Sequence, residues 1–227
     1  MKVKRNMDLM NIEDDLPDVP LMLSRAAATW TTQAQALIKP MTTVLFSQSC
    51  YLACSSHANS DHSHEVGGYI VGRTGLHKGH RYTLAEHALV AEKTNASDVR
   101  LQFTPESQLD MDARRECYFP KKRIVGWFHT HPHMSVFYSA YDLWLHTHFF
   151  RADFQFGLVI EPVKMTAGFF IWQQQGSDKP HLAVEQFAGC VELGDMQTTP
   201  IFQWHNLSNT LSDGTFSPAN KPIVLGG

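Results

Sequence analysis

The chain has 227 residues, 43% hydrophobic and 18% charged, with 14 Phe and 5 Trp. That is room for one sizeable domain with flanking extensions and enough apolar mass for a buried core. A formal charge of -3 gives no global attraction to nucleic acid or to an anionic membrane. No C-x2-C pair occurs among Cys50, Cys54, Cys117 and Cys190, and the chain is too large to need a disulfide framework. No window reaches the roughly 18 apolar residues of a membrane helix, and Glu13-Asp14-Asp15 stands where the apolar part of a secretory leader would lie. The expectation is a soluble, cytoplasmic protein with reduced thiols.

Residues 1–40 read as an N-terminal extension. Pro17 and Pro20 argue against a helix over 11–20, and a short helix is expected around Ser24-Arg25-Ala26-Ala27-Ala28. A central domain then runs over 41–190. Met41–Phe46 reads as a strand, and Ser47 or Ser49 as the cap of a helix to about His57. That helix should set Cys50, Leu52 or Ala53, and Cys54 toward the core. Ala58–His64 is a polar loop. Glu65–Arg73 reads as a buried strand with glycines at close-packing points, and His77–His80 as a turn. Tyr82–Ala91 and Val99–Phe103 are strand candidates, and Pro105–Tyr118 is helical, with Pro in the first turn. Arg123–His131 is a strand stopped by Pro132. A helix starts at Ser139 and runs to about Phe150. Phe154–Ile160 and Ala167–Trp172 are strands joined by Glu161-Pro162, and Leu182–Phe187 is a last one. Residues 191–227 loosen into a Thr-, Ser-, Asn- and Pro-containing tail. Strands alternating with two or three helices imply an α/β class with a mixed sheet.

Thirteen His occur, eleven of them between His57 and His148, and most are weak signals taken singly. The pattern H-x-H-x7-S-x2-D at His129, His131, Ser139 and Asp142 is not. At a strand end, side chains two apart share a face, so His129 and His131 form a bidentate platform with Thr130 opposite. Ser139 and Asp142, three apart at a helix start, have the spacing of a capping box. Beside the His pair, Asp142 is also a candidate third ligand and Ser139 a candidate oxyanion donor. Two imidazoles and a carboxylate suit a catalytic zinc, which keeps a fourth position open and lowers the pKa of its water to about 7. The motif supplies no general base. Cys50, Cys54, His57 and His62 or His64 form a conceivable second metal set, although buried small residues explain the cysteines as simply. His146 lies on the face of Asp142 and is read as a helix-face residue, with substrate contact or extra ligation as the alternative.

His129-Thr130-His131-Pro132 with Ser139 and Asp142 resembles the signature of the JAMM/MPN+ metalloproteases. The resemblance spans roughly 41–175 and implies the MPN-type, cytidine-deaminase-like fold, a mixed sheet flanked by helices. In that family a Glu lies upstream at the start of a Gly-containing strand. Glu65-Val-Gly-Gly-Tyr-Ile-Val-Gly72 matches, so the resemblance makes Glu65 the acid/base; alone it reads as a surface carboxylate. One Zn2+ per chain is implied, on His129, His131 and Asp142, with Ser139 stabilising the oxyanion. Phe137 and Tyr138 are candidate groove wall for substrate.

The implied reaction is hydrolysis after the C-terminal Gly-Gly of a ubiquitin-like protein or its conjugates, in deconjugation or maturation. The stand-alone bacterial members that the chain resembles are often encoded beside activating and conjugating enzymes, including in defence islands. The alternatives are sulfur-carrier processing and a metal-free MPN scaffold that only binds partners. The terminal Gly226-Gly227 itself resembles a ubiquitin-like tail, with an ordinary chain end as the simpler reading.

Overall fold

The computed structural model describes residues 16, 18–24, 26–31, 40–92, 101, 103–175, 179–182, 190–193, 204–206 and 208–209. Its elements run α1 (Val19–Ser24), β1 (Ala26–Thr31), β2 (Thr43–Ser47), α2 (Gln48–Ala58), β3 (Gly67–His77), β4 (His80–Val90), α3 (Pro105–Tyr118), β5 (Arg123–Thr130), α4 (Ala140–Phe149), β6 (Phe156–Glu161), β7 (Thr166–Gln175), β8 (Lys179–Leu182), β9 (Cys190–Leu193) and β10 (Ser208–Asn209). The strands order as β10-β1-β9-β2-β4-β3-β5-β6-β7-β8. The pairs β2/β4, β2/β9 and β5/β6 are parallel and the rest antiparallel, so the sheet is mixed and flanked by helices, as expected of the MPN fold. A parallel pair needs a crossover, and α4 supplies it between β5 and β6.

Strand alternation decides which face meets which helix. Phe128 and Ile70 lie in one core with Cys50, Tyr51, Cys54 and Ala58 of α2. Trp127, Tyr69 and Val71 lie in the other, with Met111 of α3 and Leu145 of α4. His129 and His131 continue the register of Trp127, and so belong to the α4 side. The β3–β4 hairpin closes through Lys78 and Gly79, both left-handed at φ 51° and 76°, as a two-residue turn between twisted strands requires.

Several expectations are revised. The helix placed around 24–28 is instead α1, over Val19–Ser24, followed by β1. Pro20 does not block α1, because it lies in the first turn, where no intrahelical N–H bond is lost. In α2, Leu52 is exposed while Cys50, Tyr51 and Cys54 are buried. Leu101 and Phe103 are not in a strand, and the rest of the strand expected over 99–103 lies outside the described residues. β8 ends at Leu182, where the last strand was expected to start; 183–187 and Gly226-Gly227 also lie outside the described residues. The sheet draws on both flanks: β9 lies between β1 and β2, and Trp204 is buried against Phe46, Tyr51 and Phe169. No described helix is long and apolar enough to cross a membrane.

Candidate metal centre

β5 delivers the two histidines. His129 and His131 are 1% and 2% exposed, and their Nε2 atoms converge at 3.0 Å. The intervening Thr130 turns to the other face. Its Oγ1 accepts from Val66 N–H at 2.9 Å, and its own N–H donates to Val66 carbonyl at 2.8 Å. This stitch fixes Glu65, which immediately precedes Val66. Gly67, opposite His129, permits the close approach: a Cβ there would lie 2.2 Å from the Phe128 carbonyl oxygen and 3.0 Å from His129 Cα.

α4 delivers the carboxylate. Ser139 is its N-cap and Asp142 its third residue, and the capping box is complete. Ser139 N–H donates to Asp142 Oδ2 at 2.7 Å, and Asp142 N–H donates to Ser139 Oγ at 3.2 Å. The cap orients the carboxylate toward the two histidines. Asp142 Oδ1 lies 3.4 Å from His129 Nε2, and Oδ2 lies 3.6 Å from His131 Nε2. Burial opposes its ionisation, but the neighbouring His129 and His131 imidazoles and the hydrogen bond from Ser139 outweigh burial and hold the carboxyl well below the usual range.

These donors fit zinc. Ligands at about 2.0–2.1 Å from a tetrahedral ion are separated by roughly 3.3 Å, and the observed separations bracket that value. Among the described residues, His129, His131 and Asp142 are the one group of three or more potential ligands whose atoms lie within 4.8 Å of one another. Cys50 and Cys54 join no such group. Burial raises the Cys50 thiol well above its ordinary value, as suits a core residue. His131 Nδ1 donates to Ser135 carbonyl at 3.2 Å, which leaves the Nε2 lone pair facing the other ligands. His129 Nδ1 makes no hydrogen bond; its ring stacks on Trp127 at 4.6 Å and 5°.

Glu65 is 8% exposed and stands over the triad. Its Oε1 lies 3.7 Å from His131 Nε2, and its Oε2 accepts from Leu101 N–H at 2.7 Å. Phe137 is 38% exposed and packs its ring 4.7 Å from that of His131. Tyr138 turns inward: it stacks on Phe170 at 3.8 Å, and its hydroxyl donates to His146 Nδ1 at 2.9 Å. The same nitrogen accepts from Trp127 Nε1 at 3.1 Å. His146 is fully buried and its pKa is lowered to about 3 by desolvation. Its neutral ring supports the Trp127 indole that backs His129. His146 and the exposed His133 join no ligand group. Sequence reasoning missed the Thr130 stitch and this inward role of His146. The alternation that sends Thr130 away from the histidines was a usable signal for the first; helical spacing could not reveal the second.

The family model for prokaryotic homologs of the JAB domain matches residues 47–173. Curated relatives include the Lys-63-specific deubiquitinase BRCC36 of Pongo abelii, 28% identical over 135 residues, covering 48% of this chain and 55% of that protein. The Homo sapiens protein of the same name is 28% identical over 135 residues, covering 48% and 43% respectively. This chain thus spans about half the length of the curated relatives it matches. Among solved structures, protein DSY2949 of Desulfitobacterium hafniense aligns at TM-score 0.48 and 15% identity, over 68% of this chain and 96% of that one.

Proposed function

Because this chain belongs to the family of prokaryotic homologs of the JAB domain, we propose that it is a zinc-dependent isopeptidase or peptidase cutting after the C-terminal Gly-Gly of a ubiquitin-like modifier. The observation that carries the reading is the convergence of His129 Nε2, His131 Nε2 and Asp142 Oδ within 4.8 Å, with Glu65 Oε1 3.7 Å from the second of these. The deubiquitinase activity named for the BRCC36 relatives supports the substrate class.

His129, His131 and Asp142 would hold a zinc ion, which when bound would supply Lewis acidity to make water nucleophilic near neutral pH and to polarise a carbonyl. Glu65 is the general base. Its Oε2 is held by the Leu101 amide while Oε1 faces the ligands, so one oxygen is free to take a proton from the attacking water. The same oxygen then delivers that proton to the leaving amine. Ser139 Oγ accepts from the Asp142 amide through a lone pair, which leaves its O–H free to donate to the developing oxyanion. The aromatic ring of Phe137 at the mouth offers a flat wall to an extended, side-chain-free Gly-Gly segment.

The test of the metal is elemental analysis of the purified chain. About one zinc per chain is expected in the wild type, lost in His129→Ala and retained in Glu65→Gln. A wild-type protein that takes up no zinc from a zinc-replete buffer overturns the reading.

A further inference from the structure

Three carboxylates are buried among the described residues: Glu65, Asp142 and Glu161. The proposed chemistry uses the first two. Glu161 is 0% exposed, and an ionised group so deep is retained only with its acceptors filled. They are filled entirely by backbone: His133 N–H and Val163 N–H donate to Oε1, each at 3.0 Å, and Lys164 N–H donates to Oε2 at 2.7 Å.

The place of this carboxylate gives it a consequence. Thr130 pairs with Ile160 across the parallel strands β5 and β6, so Glu161 lies beside His131. His131 N–H donates to the Ile160 carbonyl at 2.8 Å. Immediately beyond, the chain turns at His133, a non-glycine residue held left-handed at φ 61°, a conformation that costs energy unless its surroundings fix it. The bond from His133 N–H to Glu161 is such a restraint. The turn then brings back Ser135, whose carbonyl accepts from His131 Nδ1. Lys164, on the same β6–β7 turn that Glu161 organises, adds a donation from Nζ to the Met134 carbonyl at 2.9 Å.

We propose that Glu161 is a positioning residue for the metal centre: its buried carboxylate clamps the left-handed turn after His131 to the β6–β7 turn, and so fixes the Ser135 carbonyl that sets the His131 tautomer and ring orientation. The inference rests on the metal-centre reading above. A glutamine at 161 keeps the shape but serves only half of the clamp: its one carbonyl oxygen can accept either from His133 and Val163 N–H or from Lys164 N–H, and its amide nitrogen faces a donor on the other side. The turn then loosens, and the hydrogen bond behind His131 weakens. Loss of such outer support of a ligating histidine typically lowers metal affinity 10- to 100-fold.

The experiment uses the full chain and compares wild type, Glu161→Gln, Glu161→Asp and a core control on β2, Val44→Ala. Zinc affinity is measured by chelator competition, ligand geometry by the visible bands of the Co2+-substituted protein, and folding by circular dichroism melts. Expected is a 10- to 100-fold weaker zinc Kd with shifted cobalt bands in Glu161→Gln, and unchanged affinity and bands in Val44→Ala despite its lower Tm. If Glu161→Gln does not fold, Glu161→Asp is read in its place, since it keeps the charge and loses the reach. A folded Glu161 variant with wild-type Kd and bands overturns the clamp. A wild type that binds neither metal overturns the metal-centre reading, and the clamp with it.

Discussion

Glu65→Gln separates the proton-transfer role of this residue from its place in the packing. The glutamine carbonyl oxygen can still accept from Leu101 N–H, at the 2.7 Å now spanned by Oε2. The amide nitrogen then occupies the position of Oε1, 3.7 Å from His131 Nε2, and offers a donor where the reaction needs an acceptor. The three ligands are untouched, so zinc content should not change. General acid–base catalysis is worth about 10²–10⁴-fold, or roughly 3–5 kcal/mol of barrier at about 1.4 kcal/mol per tenfold. The loss should fall on kcat with KM little changed, because Glu65 holds no part of the substrate tail. The assay is steady-state cleavage of a Gly-Gly fusion, with metal content measured on the same preparation. Glu65→Asp should also fall, since removing one methylene, about 1.5 Å, prevents one carboxylate from reaching both Leu101 N–H and the triad. A Glu65→Gln protein with full zinc and a kcat within a few-fold of wild type would refute the assignment.

Two further expectations concern what stands behind the ligands. A Cβ at Gly157 would lie 1.6 Å from the Tyr138 hydroxyl oxygen, so Gly157→Ala must displace the phenol from Phe170 and His146. Overpacking and the lost hydrogen bond together cost about 2–4 kcal/mol, a Tm drop of roughly 5–15 °C in a chain of this size. The cost should shrink in a Tyr138→Phe background, where the nearest atom is gone; calorimetry showing the same drop in both backgrounds would contradict this packing. His146 is buried neutral, with a pKa of about 3 against an ordinary 6.5, so as pH falls through 6.5 the unfolded chain takes up a proton that the folded one refuses. The contribution is flat well above that pH and is lost on acidification, about 2 kcal/mol by pH 5 relative to that plateau. Urea midpoints across that range should fall less steeply in His146→Gln than in wild type, and parallel slopes would show that His146 is not the group responsible.

The His129, His131 and Asp142 cluster was legible in the sequence as a candidate metal triad because two rigid periodicities overlap there. Period two at the end of β5 set His129 and His131 on one face, and the cap spacing of Ser139 and Asp142 started α4. The α3 bounds were legible from Pro105, and the burial of Cys50 and Cys54 from their i, i+4 spacing. What stayed hidden was long-range. Nothing local says that β9 pairs with β2, or that Leu101 donates to Glu65 across 36 positions. Glu161-Pro162 looks like an ordinary connecting turn until three amides are seen to converge on one carboxylate. Tyr138 reads as groove wall and His146 as a helix-face residue from their own neighbourhoods, yet the fold turns them toward one another beside Trp127. Pro20 misled for a simpler reason: a helix excludes proline from its interior but not from its first turn.

Zinc-dependent hydrolysis after Gly-Gly is decided by intact mass. The full chain is incubated with linear fusions that carry a ubiquitin-like domain, its Gly-Gly terminus and a short C-terminal extension, with and without a chelator. A single cut immediately after Gly-Gly is expected, abolished by the chelator and restored by zinc. Wild-type, zinc-loaded protein that leaves every fusion intact, or that cuts elsewhere or equally well in chelator, would contradict it.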